Sequence, residues 1–126
     1  MINIDRYGIL LHVEKYEACV EFYRHCLNLP VELQKSEPAQ RLTIFSLGNA
    51  YLMVEPGGLA TDAPKTATEN PVTLRLNTAS VEQTADRLRQ AGIHVAIQSY
   101  EWGTIGDFLD PDGNRCQLRD AGTFGR

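Results

Sequence analysis

Side chains that could bind a ligand or move a proton alternate with apolar side chains in several strand-like runs of the sequence. The clearest run, at 115–119, places Arg115, Gln117 and Arg119 two residues apart, with Cys116 and Leu118 between them. Residues two apart in a strand point to the same face of a sheet. The alternation therefore predicts a last strand with one polar face and one apolar face.

The chemistry available in the other runs is acid–base transfer and anion binding. His12 is the best general-base candidate because an imidazole titrates near neutral pH, and Glu55 is the second catalytic candidate. The alternative for His12 is a structural role, partly exposed or hydrogen-bonded. Arg75 could hold a carboxylate or phosphate in a bidentate fork, or it could pair with Glu55 and neutralise two buried charges.

The elements that must position these side chains follow one order twice: a strand, a helix and three strands. The predicted strands are at 6–13, 31–36, 41–47, 50–55, 72–76, 93–100, 103–109 and 115–119, and the helices are at 16–28 and from Ser80 to Gly92. Ser80 with Gln83 matches a capping box, and a glycine commonly ends a helix. We therefore expect a single domain, 1–126, made of two modules, 1–56 and 71–122, joined by a linker at 57–70.

The segment DPDGN at 110–114 predicts the turn of the last hairpin. Proline and aspartate favour turns, and Gly113 can supply a positive φ. Asp110, Asp112 and Asn114 resemble the start of a calcium-binding loop. That loop would need glycine at its sixth position and glutamate at its twelfth, and the sequence has neither. A hairpin turn is the expected structure.

Composition excludes several classes of partner. The chain has 126 residues, 43% of them hydrophobic, which is enough for a core in one domain. A net charge of -4 and a pI near 5.3 argue against nucleic-acid binding. No apolar run is long enough to cross a membrane, and the N-terminus lacks the features of a signal peptide, so we expect a cytoplasmic protein.

The order of elements, with FYR in the first helix and FLDPDGNRCQL near the end, resembles the vicinal oxygen chelate superfamily. That superfamily includes glyoxalase I, extradiol dioxygenases and bleomycin-resistance proteins, and the likeness in character is to its metal-free bleomycin-resistance-like members. The most specific stretches are 13–29 and 102–118. The resemblance implies an α+β fold in which two βαβββ modules form paired curved mixed sheets around a cleft, with helices outside. It also implies a homodimer.

The resemblance also indicates where a metal would bind. Metal-dependent members place one ligand on each of four strands, and alignment on FYR puts these positions at Gly8, Met53, Pro71 (or Thr73) and Gln117. Glycine has no side-chain donor, and a thioether is a poor ligand for hard divalent ions. A lone glutamine cannot anchor such an ion. We therefore predict no metal site and no cofactor.

The strand faces that carry these positions should point into the cleft. The polar and apolar mix on them is typical of a small-molecule site. We expect the ligand-binding residues to be His12, Tyr51, Met53, Glu55, Thr73, Arg75, Gln117 and Arg119, with Trp102 and Phe108 at the mouth.

The sequence is compatible with three functions. The first is a metal-independent protein that binds a small organic ligand, in the cleft between the modules or at a dimer interface. The second is a metal-dependent lyase, isomerase or dioxygenase of the same superfamily with an atypical site, such as His12, Glu55 and Gln117. In this second class, metal-free acid–base chemistry by His12 and Glu55 is a further possibility. The third is an interaction domain whose cleft is filled by its own side chains.

Overall fold

The computed structural model describes residues 2–125, and the chain divides into two compact units, 1–60 and 61–126. Each unit contains a four-stranded mixed sheet. The first comprises β1 (Tyr7–Val13), helix α1 (Tyr16–Glu21, continued by a π-helical segment, Phe22–Cys26), β2 (Val31–Glu37), β3 (Gln40–Leu47) and β4 (Ala50–Pro56). The second comprises β5 (Leu74–Thr78), α2 (Val81–Gln90), β6 (Ala96–Tyr100), β7 (Gly103–Leu109) and β8 (Arg115–Asp120). The predicted α+β class with two βαβββ modules is confirmed.

The two sheets share one topology. Their strand orders are β1-β4-β3-β2 and β5-β8-β7-β6. In each sheet the first and last strands of the unit pair in parallel, and the other pairs are antiparallel. The last strand of each unit therefore lies between two neighbours, while the edge strands are β1 and β2 in the first sheet and β5 and β6 in the second.

The first unit buries the apolar face that the alternation predicts. Val13, Phe45 and Val54 are fully buried. The π-helical segment brings consecutive aromatic residues, Phe22 and Tyr23, into this core, with their rings edge to face at 5.0 Å. The wider turns of a π-helix allow this departure from regular helical spacing.

The second unit is built around the predicted amphipathic helix. Ser80 caps α2 by accepting a hydrogen bond from the Gln83 amide, at 3.2 Å. Ala85 and Leu88 on the helix are buried, as are Cys116 and Leu118 on β8. The burial of Cys116 and Leu118 thus confirms the apolar face predicted for the last strand.

Two strands begin later than predicted because local hydrogen bonds use their first residues. The fifth strand starts at 74 rather than 72, since the Val72 amide donates to the Asn70 side chain instead of joining the sheet. Val72 is consequently half exposed. The sixth strand starts at 96 rather than 93, because Ile93 donates to the end of α2 and the Val95 carbonyl accepts from Arg89.

The turn at 110–114 is buried, and residues 61–70 enclose it. Asp110 Oδ1 accepts from the amides of Asp112 and Asn114, both at 2.9 Å. The Thr61 amide donates to the Asp112 carbonyl, and Lys65 Nζ donates to Asn114 Oδ1 at 2.9 Å. Most of the predicted linker therefore packs within the second unit as a support for this hairpin turn.

Candidate functional site

One face of the first sheet brings together five of the residues singled out from the sequence, with Leu10 beside them. The parallel register pairs Gly8 with Tyr51, Leu10 with Met53 and His12 with Glu55. The residues that alternate with them, such as Leu52 and Val54, are buried in the core. We call the face opposite this core the outer face of the first sheet.

His12 and Glu55 form an ion-pair or hydrogen-bond contact on the outer face. His12 Nε2 lies 2.9 Å from Glu55 Oε1, and the imidazole is about half exposed. A Cβ on Gly58 would lie 2.1 Å from the His12 carbonyl oxygen, so only glycine allows this close passage of the chain. With Nε2 donating to the carboxylate, Nδ1 of His12 is left as the available base.

The Tyr51 ring covers Gly8. A Cβ added to Gly8 would lie 2.3 Å from Cε2 of this ring, closer than any real Cβ contact. The Arg6 guanidinium lies 5.3 Å from the ring centroid, and a hydrogen bond from Arg6 lowers the pKa of Glu32. The space above Gly8 is therefore filled by an aromatic side chain.

In the second unit, a hydrogen-bonded chain crosses three strands. Arg75 Nε donates to Gln117 Oε1 at 2.6 Å, and Gln117 Nε2 donates to Asp107 Oδ1 at 2.8 Å. The sheet register aligns Gln117 with both partners. Both ends of the Gln117 amide are thus engaged, and the amide links a cation to an anion.

A cavity of about 480 Å³ lies beside this chain. It contains three predicted ligand-binding residues, Thr73, Phe108 and Gln117. Its other lining residues were not predicted: Pro64, His94, Asp107, Leu109, Arg115 and Cys116. The alternation at 115–119 already indicated that Arg115 shares a strand face with Gln117. The position of Asp107 beside Gln117 depends on the register of the β7–β8 hairpin.

Trp102 and Arg119 lie at the other end of the β7–β8 hairpin. The Trp102 ring stacks on Tyr100 with centroids 4.9 Å apart, and about half of each side chain is exposed. Arg119 is buried and donates to the Trp102 carbonyl at 2.8 Å and to Thr123 at 2.8 Å. It also pairs with Asp120. Arg119 therefore supports the aromatic pair from within rather than presenting an open cation.

The sequence profile of the glyoxalase/bleomycin resistance protein/dioxygenase superfamily matches residues 4–118. The chain belongs to this superfamily. No curated protein sequence matches it.

Solved structures of superfamily proteins share the fold. The antibiotic binding protein TnmS3 from Streptomyces sp. CB03234 is 21% identical, with a TM-score of 0.73 over 95% of this chain and 98% of that one. A glyoxalase/bleomycin resistance protein from the same strain is 21% identical, with a TM-score of 0.67 over 91% and 99%. Lactoylglutathione lyase from Agrobacterium tumefaciens is 18% identical, with a TM-score of 0.73 over the whole of both chains.

Three of the four positions that the resemblance assigns to a metal carry residues that do not suit a divalent ion. Gly8 supplies no donor and lies under a tyrosine ring, and Met53 supplies a thioether. The Gln117 amide is bonded at both ends. Across residues 2–125, no three His, Cys, Asp or Glu side chains form a group suited to a metal ion. No helix in the same range is long and apolar enough to span a bilayer.

Proposed function

We propose that this superfamily member is a metal-independent protein that binds a small organic ligand. The observation that carries the proposal is what occupies three of the positions that the resemblance assigns to a metal: a glycine covered by a ring, a thioether, and an amide with one hydrogen bond at each end. The similarity in fold to an antibiotic binding protein also supports it. The expected location of the ligand, between the two modules or at a homodimer interface, stays a prediction from the resemblance.

The first experiment measures how much metal the purified protein contains and whether any activity depends on that metal. The protein is purified with Zn²⁺, Ni²⁺ and Mn²⁺ in the medium, and elemental analysis is expected to find much less than one ion per chain. Gln117→Glu restores one carboxylate donor without uncovering Gly8, and we expect it to stay metal-free as well. One equivalent of metal in the parent protein, or an activity lost on chelation, would overturn the proposal.

The second experiment tests ligand binding. A thermal-shift screen with anionic, cationic and aromatic small molecules is expected to raise the Tm with at least one class, because a ligand that binds only the folded state stabilises it. Isothermal titration then gives the stoichiometry. No shift with any class would count against a binding function.

A second candidate function is metal-free acid–base catalysis, and the His12–Glu55 contact favours it. A carboxylate that accepts from Nε2 orients the imidazole and leaves Nδ1 as a base. Hemithioacetal isomerisation is the first reaction to assay. Loss of turnover in His12→Ala, with turnover retained in His25→Ala, would support catalysis. His25 is a matched control since it also lies near a carboxylate, 3.6 Å from Glu21.

We further propose that the protein forms a homodimer and that it is located in the cytoplasm. Sedimentation velocity is expected to show a homodimer, and a monomer at micromolar concentration would contradict this. Fractionation of the producing cell is expected to recover the protein from the cytoplasm.

A further inference from the structure

The cavity of the second unit contains a cation, Arg115, that has no counter-ion among residues 2–125. Arg115 lines the cavity and makes one hydrogen bond, from Nη2 to the Asn70 carbonyl at 2.5 Å. No Asp or Glu carboxylate within residues 2–125 lies within 4 Å of its guanidinium, and its Nε is buried without an acceptor in that range. A buried donor without an acceptor is rare and calls for a partner.

The acid in the cavity wall, Asp107, already accepts a hydrogen bond from another side chain. Asp107 accepts from Gln117, which in turn accepts from Arg75. The carboxylate is therefore linked through the amide to a different arginine. Within the part of the chain that the structure describes, the charge of Arg115 is left without a carboxylate partner.

The rest of the cavity has the character of a site for an organic molecule. Phe108, Leu109 and Pro64 supply apolar wall, while Thr73 and His94 add hydrogen-bonding groups. Its volume of about 480 Å³ lies within the range of roughly 300–1,000 Å³ typical of small-molecule sites. An apolar wall with one unbalanced cation complements a molecule that has an apolar body and one anionic group.

We infer that this cavity binds an apolar organic acid, with its carboxylate held by Arg115. Arginine suits this role because its planar fork matches a carboxylate in two parallel hydrogen bonds. The inference rests on the proposed binding function and names its ligand class. It also gives a role to Arg115, which is not one of the positions that the resemblance assigns to a metal, although Thr73 and Gln117 beside it are.

Three probes that share a naphthalene body, are similar in size and differ in charge test the inference: naphthalene-2-carboxylate, naphthalene-2-carboxamide and 2-naphthylmethylammonium. Isothermal titration of the full chain is expected to give a Kd for the carboxylate at least about tenfold lower than for the amide, with the ammonium weakest. Amide chemical shifts in NMR spectra should change around 107–109 and 115–117.

Two variants assign the preference to one residue. Arg115→Gln should lose the preference for the carboxylate, while Arg115→Lys, which keeps the charge, should retain part of it. Arg87→Gln is the matched control, because Arg87 is exposed on α2 and does not line the cavity. NMR spectra of each variant establish that it is folded.

The possible outcomes distinguish carboxylate binding by Arg115 from the more general proposal that the protein binds a small organic ligand. Equal binding of all three probes would overturn the role of charge and leave ligand binding intact. A carboxylate preference that survives in Arg115→Gln would place the anion elsewhere and overturn the assignment. Failure of all three probes would overturn the inference, while the thermal-shift screen still decides the proposed function.

Discussion

Replacing Gly8 with alanine tests whether the Tyr51 ring fills the space above this residue. The new Cβ would lie 2.3, 2.4 and 2.5 Å from three ring carbons. Non-bonded carbon atoms pack at about 3.5–4.0 Å. Relief of this clash requires a displacement of roughly 1 Å or more. The Tyr51 ring would be the group that moves, because it is partly exposed.

The expected cost follows from two opposing effects. Overpacking costs about 1–3 kcal/mol, and a displaced ring also gives up an Arg6 contact worth about 0.5–1 kcal/mol at an exposed site. Alanine in a strand is favoured over glycine by about 0.5–1 kcal/mol. We expect Gly8→Ala to lower the free energy of unfolding by about 1 kcal/mol. This value is at the low end of the overpacking range, because the Tyr51 ring can rotate outward.

The sign of the effect should reverse when the ring is removed. In a Tyr51→Ala background, Gly8→Ala should raise the free energy of unfolding by about 0.5–1 kcal/mol, since only the strand preference remains. Urea denaturation of the four proteins of this double-mutant cycle measures the coupling, expected at about 1.5–2 kcal/mol, the difference between these two effects.

Gly122→Ala is the control, because a Cβ at Gly122 meets no atom within 4 Å. It should change the free energy of unfolding by less than about 0.5 kcal/mol. Additive effects of Gly8→Ala and Tyr51→Ala would refute the reasoning. The ring would then not cover Gly8 in solution, and the case against a metal at that position would weaken.

Three further predictions concern the second unit. Hydrogen bonds, first from the Thr123 hydroxyl, lower the pKa of Asp120 from 3.8 to about 2, so its contribution to stability is complete above pH 3.8 and is lost as the pH falls through about 2. Urea midpoints between pH 5 and pH 2 should therefore fall less steeply in Asp120→Asn than in the parent. Asp110→Ala removes a buried carboxylate that accepts three hydrogen bonds, and should lower the free energy of unfolding by about 3 kcal/mol or more. Ser80→Ala should cost about 1 kcal/mol through loss of the helix cap, and Ser99→Ala, which leaves that cap in place, should cost less in the same urea assay.

Local patterns in the sequence predict the elements well. The alternation at 115–119 identifies Cys116 and Leu118 as buried, and each is 1% exposed. The turn glycine, Gly113, has a φ of 86°, and Asn28 ends the first helix with a φ of 55°. These features depend on neighbouring residues, so the sequence contains the information needed to predict them.

Contacts between distant segments could not be predicted in the same way. The contact of Tyr51 with Gly8 depends on the register between β1 and β4, more than forty residues apart in the chain. The link from Asp107 to Gln117 depends on the register of the β7–β8 hairpin. Alternation tells which face a residue occupies, but it does not identify the residue beside it on the next strand.

The enclosure of the 110–114 turn by residues 61–70 determines where the chain can be cut to study its second half. A fragment that starts at 71 would lose the partners of Asp112, Gly113 and Asn114 and expose these buried polar groups to water. A fragment that starts at Thr61 keeps them. An expression boundary chosen by composition, after the stretch rich in proline, glycine and threonine, would remove a structural part of the unit it was meant to isolate.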